Sequence, residues 1–185
     1  MSVLAECSVG SASSPPANQD PEEMFKAPTY ERFICRFDLD LKLVNKIEAP
    51  KYIRDKVVIS CRMCYVEPSK CVYMAVSTPS QGFLYELSVD NKWTEVYNSR
   101  GHNFSDVQSF AVVGPITELL LVETNRSYVL LVSIYSSQVV DRRMIAVCER
   151  PDTLTIDETG NLFVFDRATC KIAITPEYTL KSSRK

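Results

Sequence analysis

The segment from Pro151 to Ile174 constrains the fold of this chain most, because it holds three short strands and two turns in one supersecondary unit. Leu154 and Ile156 alternate with polar residues, and an apolar run follows at 162–165. Turn-forming residues separate the two strands, namely Glu158, Thr159, Gly160 and Asn161. A unit this small cannot cover its own faces, so its recurrence along the chain decides the fold.

Similar strands do recur. Apolar middle strands lie at 72–78, 119–125 and 162–168. The strands that follow them lie at 83–89, 128–134 and 171–174, and residues 33–39 match this second set. The offsets of roughly 43 to 50 residues are typical of propeller blades. We therefore predict an all-β fold, a partial or small β-propeller of four-stranded antiparallel meander blades.

The most polar strands fit the outer positions of such blades. They lie at 41–47, 92–98 and 137–143. Outer strands of a propeller face water, whereas middle strands are covered on both faces by neighbouring blades. The gradient in polarity therefore supports the order of strands within each predicted blade.

The last blade resembles an NHL repeat, the blade unit of propellers in the TRIM-NHL proteins and in other chains. The resemblance is carried by Pro151, Asp157, Gly160, Asn161, Leu162, Val164, Asp166, Lys171 and Ile172. It extends over residues 31–182, although the middle blades lack the Asp-x-x-Gly-Asn turn. The resemblance implies a docking propeller, and TRIM-NHL propellers use a basic face for RNA. The chain holds roughly three and a half blades, whereas a closed NHL ring needs about six.

Composition divides the chain into two predicted regions. Residues 1–28 are rich in Ser, Pro, Ala and acidic residues and have little to bury, so we expect a disordered N-terminal tail. Residues 29–182 are expected to form the NHL-like propeller blades. With 45% hydrophobic residues over its full length, the chain can bury a sizeable core.

Charge and cysteine usage limit the partners. The net charge of -2 gives no global attraction for nucleic acid, so we expect no DNA partner, and RNA would need a local basic patch. No apolar run is long enough for a membrane span, and the N-terminus lacks the basic leader of a secretory signal. The odd number of cysteines, seven, fits reduced thiols in the cytoplasm better than a disulfide framework.

Three groups of residues invite a chemical interpretation. Cys61, Cys64 and Cys71 lie close in sequence, but they lack the further paired ligands of a zinc site, so we interpret them as structural thiols. His102 lies in a polar loop without a nucleophile elbow. Asp157 and Asp166 have the spacing of blade turns. We expect no cofactor, no metal and no enzymatic activity.

Local basic residues mark the candidate binding surface. They are Arg142, Arg143, Arg150, Arg167 and Lys171. The predicted function is a non-enzymatic interaction scaffold whose propeller surface docks protein partners. Two alternatives stay open. One is an RNA-binding propeller face, and the other is a metal-dependent hydrolase similar to propeller lactonases, with Glu123 and Asp166 at the ends of equivalent strands.

The blade count leaves apolar faces to be covered. A small ring of about four blades, a self-associated pair of chains, or completion by a partner chain would each cover them. We favour an incomplete propeller, a truncated or alternative product of a longer gene that is marginally stable by itself.

Overall fold

The computed structural model describes residues 3–10, 30–37, 40, 42–54, 56–123 and 126–176. The chain forms two compact units, Met1–Val57 and Val58–Lys185. The predicted propeller region, 29–182, therefore spans a division near residue 57.

The first unit is built on one antiparallel sheet, called here the first sheet. Its strands are β1 Val3–Gly10, β2 Tyr30–Phe37 and β3 Leu43–Glu48, in the order β1-β2-β3. A short helix, α1 Lys51–Arg54, follows. No helix in the described part of the chain is long and apolar enough to cross a membrane.

The predicted disordered tail differs from the structure at residues 3–10, which pair as β1 with β2 from Val3↔Phe37 to Gly10↔Tyr30. The physical reason lies in the pattern Val-x-Ala-x-Cys-x-Val at 3–9, whose period of two is that of a strand. Residues 11–28 of the predicted tail lie outside the described residues.

The second unit contains three antiparallel meanders, in which each strand pairs with the next in sequence. The second sheet holds β4 Ser60–Val66, β5 Cys71–Ser77, β6 Gln81–Leu87 and β7 Trp93–Arg100. The third sheet holds β8 Phe104–Val113, β9 Ile116–Glu123, β10 Tyr128–Tyr135 and β11 Gln138–Ala146. The fourth sheet holds β12 Pro151–Ile156, β13 Leu162–Asp166 and β14 Lys171–Thr175.

The predicted fold class is confirmed: the chain is an all-β, partial propeller-like fold of antiparallel meanders. The predicted middle strands are β5, β9 and β13, and the predicted outer strands are β3, β7 and β11, each at a sheet edge. The first and fourth sheets have three strands among the described residues, rather than the four that the blade pattern predicts.

The second and third sheets pack face to face through aliphatic and aromatic side chains. Tyr73, Ala75 and Leu84 of the second sheet lie in one buried cluster with Leu119 and Leu121 of the third. The approach is close at Gly82, where an added Cβ would lie 2.7 Å from a ring carbon of Phe104. The absence of a side chain at Gly82 therefore lets the two sheets meet.

The third sheet uses its other face to pack against the fourth. Strand alternation places Leu120, Val122, Val129 and Leu131 on this face. They share a buried cluster with Leu154, Leu162 and Val164 of the fourth sheet. The third sheet is thus covered on both faces, which explains its continuous apolar strands LLLV and VLLV.

The three sheets spread apart from their inner to their outer strands. The inner strands β4, β8 and β12 lie side by side, whereas the outer strands β7 and β11 contact each other much less. Asp106 of β8 is linked to β12, because its Oδ2 accepts hydrogen bonds from Thr153 Oγ1 at 2.6 Å and from the Leu154 amide at 2.9 Å. This radial spread is that of neighbouring propeller blades.

Candidate functional site

The second, third and fourth sheets present their loops at two ends. The end at which the chain passes from one sheet to the next is called here the crossover end. The described residues of its loops are 78–80, 101–103, 126–127, 147–150 and 167–170. The opposite end, called here the hairpin end, carries the remaining turns.

Hydrogen bonds between sheets hold the crossover end together. Ser77 Oγ donates to the Phe104 carbonyl oxygen at 2.7 Å, and Ser99 Oγ donates to Glu123 Oε1 at 2.7 Å, both between the second and third sheets. Ser127 Oγ donates to the Glu149 carbonyl oxygen at 3.2 Å, on the way to the fourth sheet. These loops are therefore positioned by a packed scaffold, the usual setting of a binding surface.

The crossover end is basic at its surface. Its basic residues come from all three sheets: Arg100, Arg126, Arg150, Arg167 and Lys171. All except the half-buried Arg126 are exposed, and they outnumber the solvent-accessible acidic residues of this end, Glu149 and Asp152. The hairpin end has the opposite bias among its described residues, with Glu67, Asp90, Asp157 and Glu158 against Lys70 and Lys92.

Three of the five predicted basic residues lie at the crossover end. The Arg167 amide donates to the Arg150 carbonyl oxygen at 2.9 Å, so these two loops are adjacent. Lys171 begins β14 and lies opposite Asp166 of β13 in the strand register. Arg167 Nη1 lies 3.9 Å from Asp152 Oδ1, an exposed ion pair that contributes little to stability.

The other two predicted residues lie on the outer strand β11, away from that end. Arg142 donates to the Tyr97 hydroxyl at 3.1 Å and its guanidinium lies 5.5 Å from the centre of that ring. Arg143 Nε donates to Asp141 Oδ2 at 2.7 Å. Adjacent residues of a strand point to opposite faces, so the sequence pair does not make one patch. The structure therefore divides the predicted basic surface in two.

A polar cluster at the crossover end went unrecognised in the sequence. Arg126 Nη2 contacts His102 Nε2, and the Arg126 guanidinium lies 5.9 Å from the centre of the Tyr128 ring. Arg126 Nε is a buried donor without a hydrogen-bond partner in the structure. Arg126 and His102 are 24 residues apart and meet because their sheets stack. The available signal was that both precede a strand at the same end of successive blades.

The carboxylates that suggested a metal site already serve as hydrogen-bond acceptors. Glu123 Oε2 accepts from the Tyr128 hydroxyl at 3.0 Å, in addition to Ser99 at Oε1. Burial and this bond to Glu123 raise the pKa of Tyr128, which keeps its proton in place. Each carboxylate oxygen of Glu123 thus accepts a hydrogen bond from a hydroxyl group of the protein itself.

Asp166 closes the loop after β13 in a similar way. Oδ1 accepts from the amides of Arg150 at 3.1 Å and Ala168 at 2.9 Å, and Oδ2 accepts from Thr169 Oγ1 at 2.9 Å. Burial raises the pKa of Asp166, but these hydrogen bonds outweigh it and the pKa is lowered. Asp166 therefore shapes the basic loops and holds Arg150 beside Arg167. No group of three potential metal ligands is found among the described residues.

Six of the described cysteines form no disulfide bond, namely Cys35, Cys61, Cys64, Cys71, Cys148 and Cys170. Cys64 packs against the cluster between the second and third sheets, and burial raises its pKa to about 12. Cys61, three residues earlier on β4, belongs to the other face. Cys35 is buried, but Cys61, Cys64, Cys71 and Cys148 are half-buried and Cys170 is exposed, so the cysteines are less buried than their apolar strands suggest.

Comparison with known proteins shows a similarity in sequence to a nematode protein. The chain is 37% identical over 145 residues to uncharacterized protein F44B9.2 of Caenorhabditis elegans. The similarity covers 78% of this chain and 29% of the worm protein, so the chain spans less than a third of that relative's length. No family model matches the chain.

Proposed function

We propose that this chain is a non-enzymatic interaction scaffold whose crossover end docks an acidic segment of a partner protein. The observation that carries the proposal is the set of basic side chains that three sheets bring to one end, with an acidic bias at the other. An oppositely charged partner is steered to such a surface, and the rigid sheets hold the charges in place before binding.

The chemistry of the crossover end fits recognition better than catalysis. Its buried carboxylates, Glu123 and Asp166, accept hydrogen bonds that fix the loops. These bonds and the burial of both carboxylates keep them within the loop framework, whereas the exposed guanidinium and ammonium groups are the ones that a ligand at the surface meets.

An acidic protein segment suits the surface better than RNA. Glu149 and Asp152 interrupt the basic residues, which weakens attraction for a continuous phosphate backbone. Single-stranded RNA is also held by several rings on which successive bases stack, and at this end the described residues offer one partly accessible aromatic ring, Tyr128. RNA remains the second candidate because Tyr128 lies beside Arg126 within the basic end.

Two further parts of the proposal are the type of blade, supported by an NHL-type turn, and the cellular location, supported by cysteines that form no disulfide bond. Asp157 Oδ1 accepts from the amides of Thr159 and Asn161 at 2.9 and 2.8 Å, and Gly160 has a φ of 83°, as a tight turn between blade strands requires. We interpret the sheets as NHL-type blades. Six cysteines that form no disulfide bond fit a reducing compartment, so we propose a cytoplasmic location.

The test is a fluorescence anisotropy titration with two probes, a labelled peptide of alternating Glu and Ser and a labelled single-stranded RNA pool, each at several salt concentrations. The double variant Arg150→Glu/Arg167→Glu is compared with Lys70→Glu/Lys92→Glu, which makes the same charge change at the hairpin end. We expect the first variant to weaken peptide binding at least about tenfold and the control to change it less than about twofold.

The other outcomes of the titration would indicate an RNA partner, an effect of net charge alone, or no binding of either probe. RNA binding that is tighter than peptide binding and is lost in the Arg150/Arg167 variant replaces the protein partner with RNA. Equal weakening in both double variants shows that net charge, not the crossover end, attracts the ligand. Failure of both probes to bind at low salt contradicts the proposal.

A further inference from the structure

One face of the fourth sheet is apolar, and the described residues leave it open. Its side chains form two cross-strand rows, Thr155–Phe163–Ile174 and Thr153–Phe165–Ile172. The two isoleucines are 61% and 64% exposed, and the two phenylalanines are half-buried. This surface, called here the open face, contains no charged side chain in these rows.

The same positions are covered in the third sheet. The spacing of equivalent strands matches Phe163 and Phe165 with Leu120 and Val122, and Ile172 and Ile174 with Val129 and Leu131. The four residues of the third sheet are at most 1% exposed, because the fourth sheet packs on them. The open face is therefore built like a face that binds another sheet.

The second sheet repeats this arrangement. Tyr73, Ala75 and Leu84 occupy the corresponding positions and are at most 2% exposed, because they pack against the third sheet. Two sheet-to-sheet interfaces of one kind thus precede the open face in the chain, and the open face continues that series. A contiguous apolar patch of this kind marks an interaction site rather than ordinary surface.

From this we infer that the open face binds the open face of a second copy of the chain, giving a two-fold symmetric dimer. Both surfaces are uncharged, so self-pairing brings no like charges together. Val72, Met74 and Val76 of the second sheet are buried on the face turned away from the third sheet, so that face is not available to a second copy. On the outer strand β11, Arg142 separates the exposed Val140 and Met144, which breaks up that surface.

The inference goes beyond the proposed function, because the open face and the crossover end use different residues. A dimer would present two basic crossover ends to a partner, which raises avidity when the partner carries two acidic segments. A parent chain that stays monomeric at every concentration but still binds the acidic peptide would overturn this inference and leave the proposed function intact.

The test is sedimentation velocity of the full chain over a wide concentration range. We expect a monomer–dimer equilibrium between 20.9 kDa and twice that mass. Ile174→Glu is expected to raise the dimer dissociation constant at least about tenfold, since a two-fold interface places the new charge in it twice. Val140→Glu, which alters a side chain of 55% exposure on β11, is the matched control and is expected to change it less than about twofold.

A second variant protects the test against misfolding. Thr155→Lys places a charge at an exposed polar position of the open face, and its far-ultraviolet circular dichroism is expected to match that of the parent chain. It should dissociate the dimer as Ile174→Glu does. A parent chain that is monomeric at every concentration, larger oligomers without a dimer, or equal effects of Ile174→Glu and Val140→Glu would each overturn the two-fold dimer.

Discussion

The third and fourth sheets carry equivalent apolar side chains, but in the described part of the chain the third sheet packs on both faces and the fourth packs on one. Leu131 is 1% exposed in the third sheet, and its equivalent Ile174 is 61% exposed in the fourth. The strand pattern decides which side chains share a face. Whether that face is buried depends on the next sheet, which lies elsewhere in sequence.

This difference sets where stability resides. Burial of apolar surface contributes roughly 25 cal/mol for each Å², so the third sheet, which is covered on both faces, contributes more packing free energy than the fourth. Among the described residues the fourth sheet has one buried face and an unpaired edge at β14, and so it is expected to open locally at a lower free energy than the third.

The largest expected effect comes from matched truncations in the two sheets. Leu131→Ala removes a fully buried side chain and leaves a cavity, so it should lower the free energy of unfolding by about 2–5 kcal/mol. Ile174→Ala, at the equivalent exposed position, should lower it by no more than about 0.5 kcal/mol. Urea denaturation, with the chain dilute enough to be monomeric, measures both. Equal losses would show that the two positions are buried alike.

A smaller effect is expected from the link between the two sheets. Asp106→Ala leaves the Leu154 amide and the Thr153 hydroxyl without their acceptor, and also removes the bond from the Val107 amide. Unsatisfied buried donors cost about 1–3 kcal/mol, and the same urea experiment measures the loss. Asp141→Ala, whose carboxylate is half-exposed, serves as the control and should cost less than about 1 kcal/mol. A larger loss at Asp141 than at Asp106 would contradict the assigned link.

The smallest expected effect is the pH dependence of the stability that Asp157 contributes in the turn between β12 and β13. The Asn161 side chain, with bonds from Thr159, lowers the pKa of Asp157 below its ordinary value of 3.8. A lowered pKa means that the stabilisation is fully present above that ordinary value and is lost as pH falls through the pKa of the folded state. The stability difference between the parent chain and Asp157→Ala should therefore shrink between pH 6 and pH 2.

Urea denaturation of both proteins at the two pH values measures this difference. Glu158→Ala, in the same turn, is the control and should show a smaller change with pH. A difference between the parent chain and Asp157→Ala that stays constant with pH would show that Asp157 acts without its charge.

The fold could be predicted from the sequence because each middle strand is a short run of apolar residues, which is a local signal. The runs at 72–76, 119–122 and 162–165 are apolar without interruption, which is typical of the middle strands of a layered sheet, and each lies at a middle position in its sheet. Residues 3–10 differ from the expected disordered tail, because that expectation came from the composition of 1–28 and not from the local strand pattern at 3–9. Pairing with β2 is a contact between distant residues, which composition does not encode.

The candidate site was harder to predict than the fold. Arg150, Arg167 and Lys171 share an end because β12, β13 and β14 form one hairpin series, which is a local pattern. Arg100 and Arg126 lie at the same end because separate sheets stack on one another. This stacking leaves no local pattern in the sequence. Arg142 and Arg143 were expected in the same patch because they are consecutive and basic, but alternation along β11 separates them.

Hydrogen exchange followed by mass spectrometry tests the central contrast between the two sheets most directly. With the chain dilute enough to be monomeric, peptides covering β9 and β10 should exchange slowest, near the rate set by global unfolding. Peptides covering β13 and β14 should exchange faster, since one face and one edge of their sheet are open. Protection of β14 equal to that of β10 in the monomer would contradict the account, because it would require a cover over the open face.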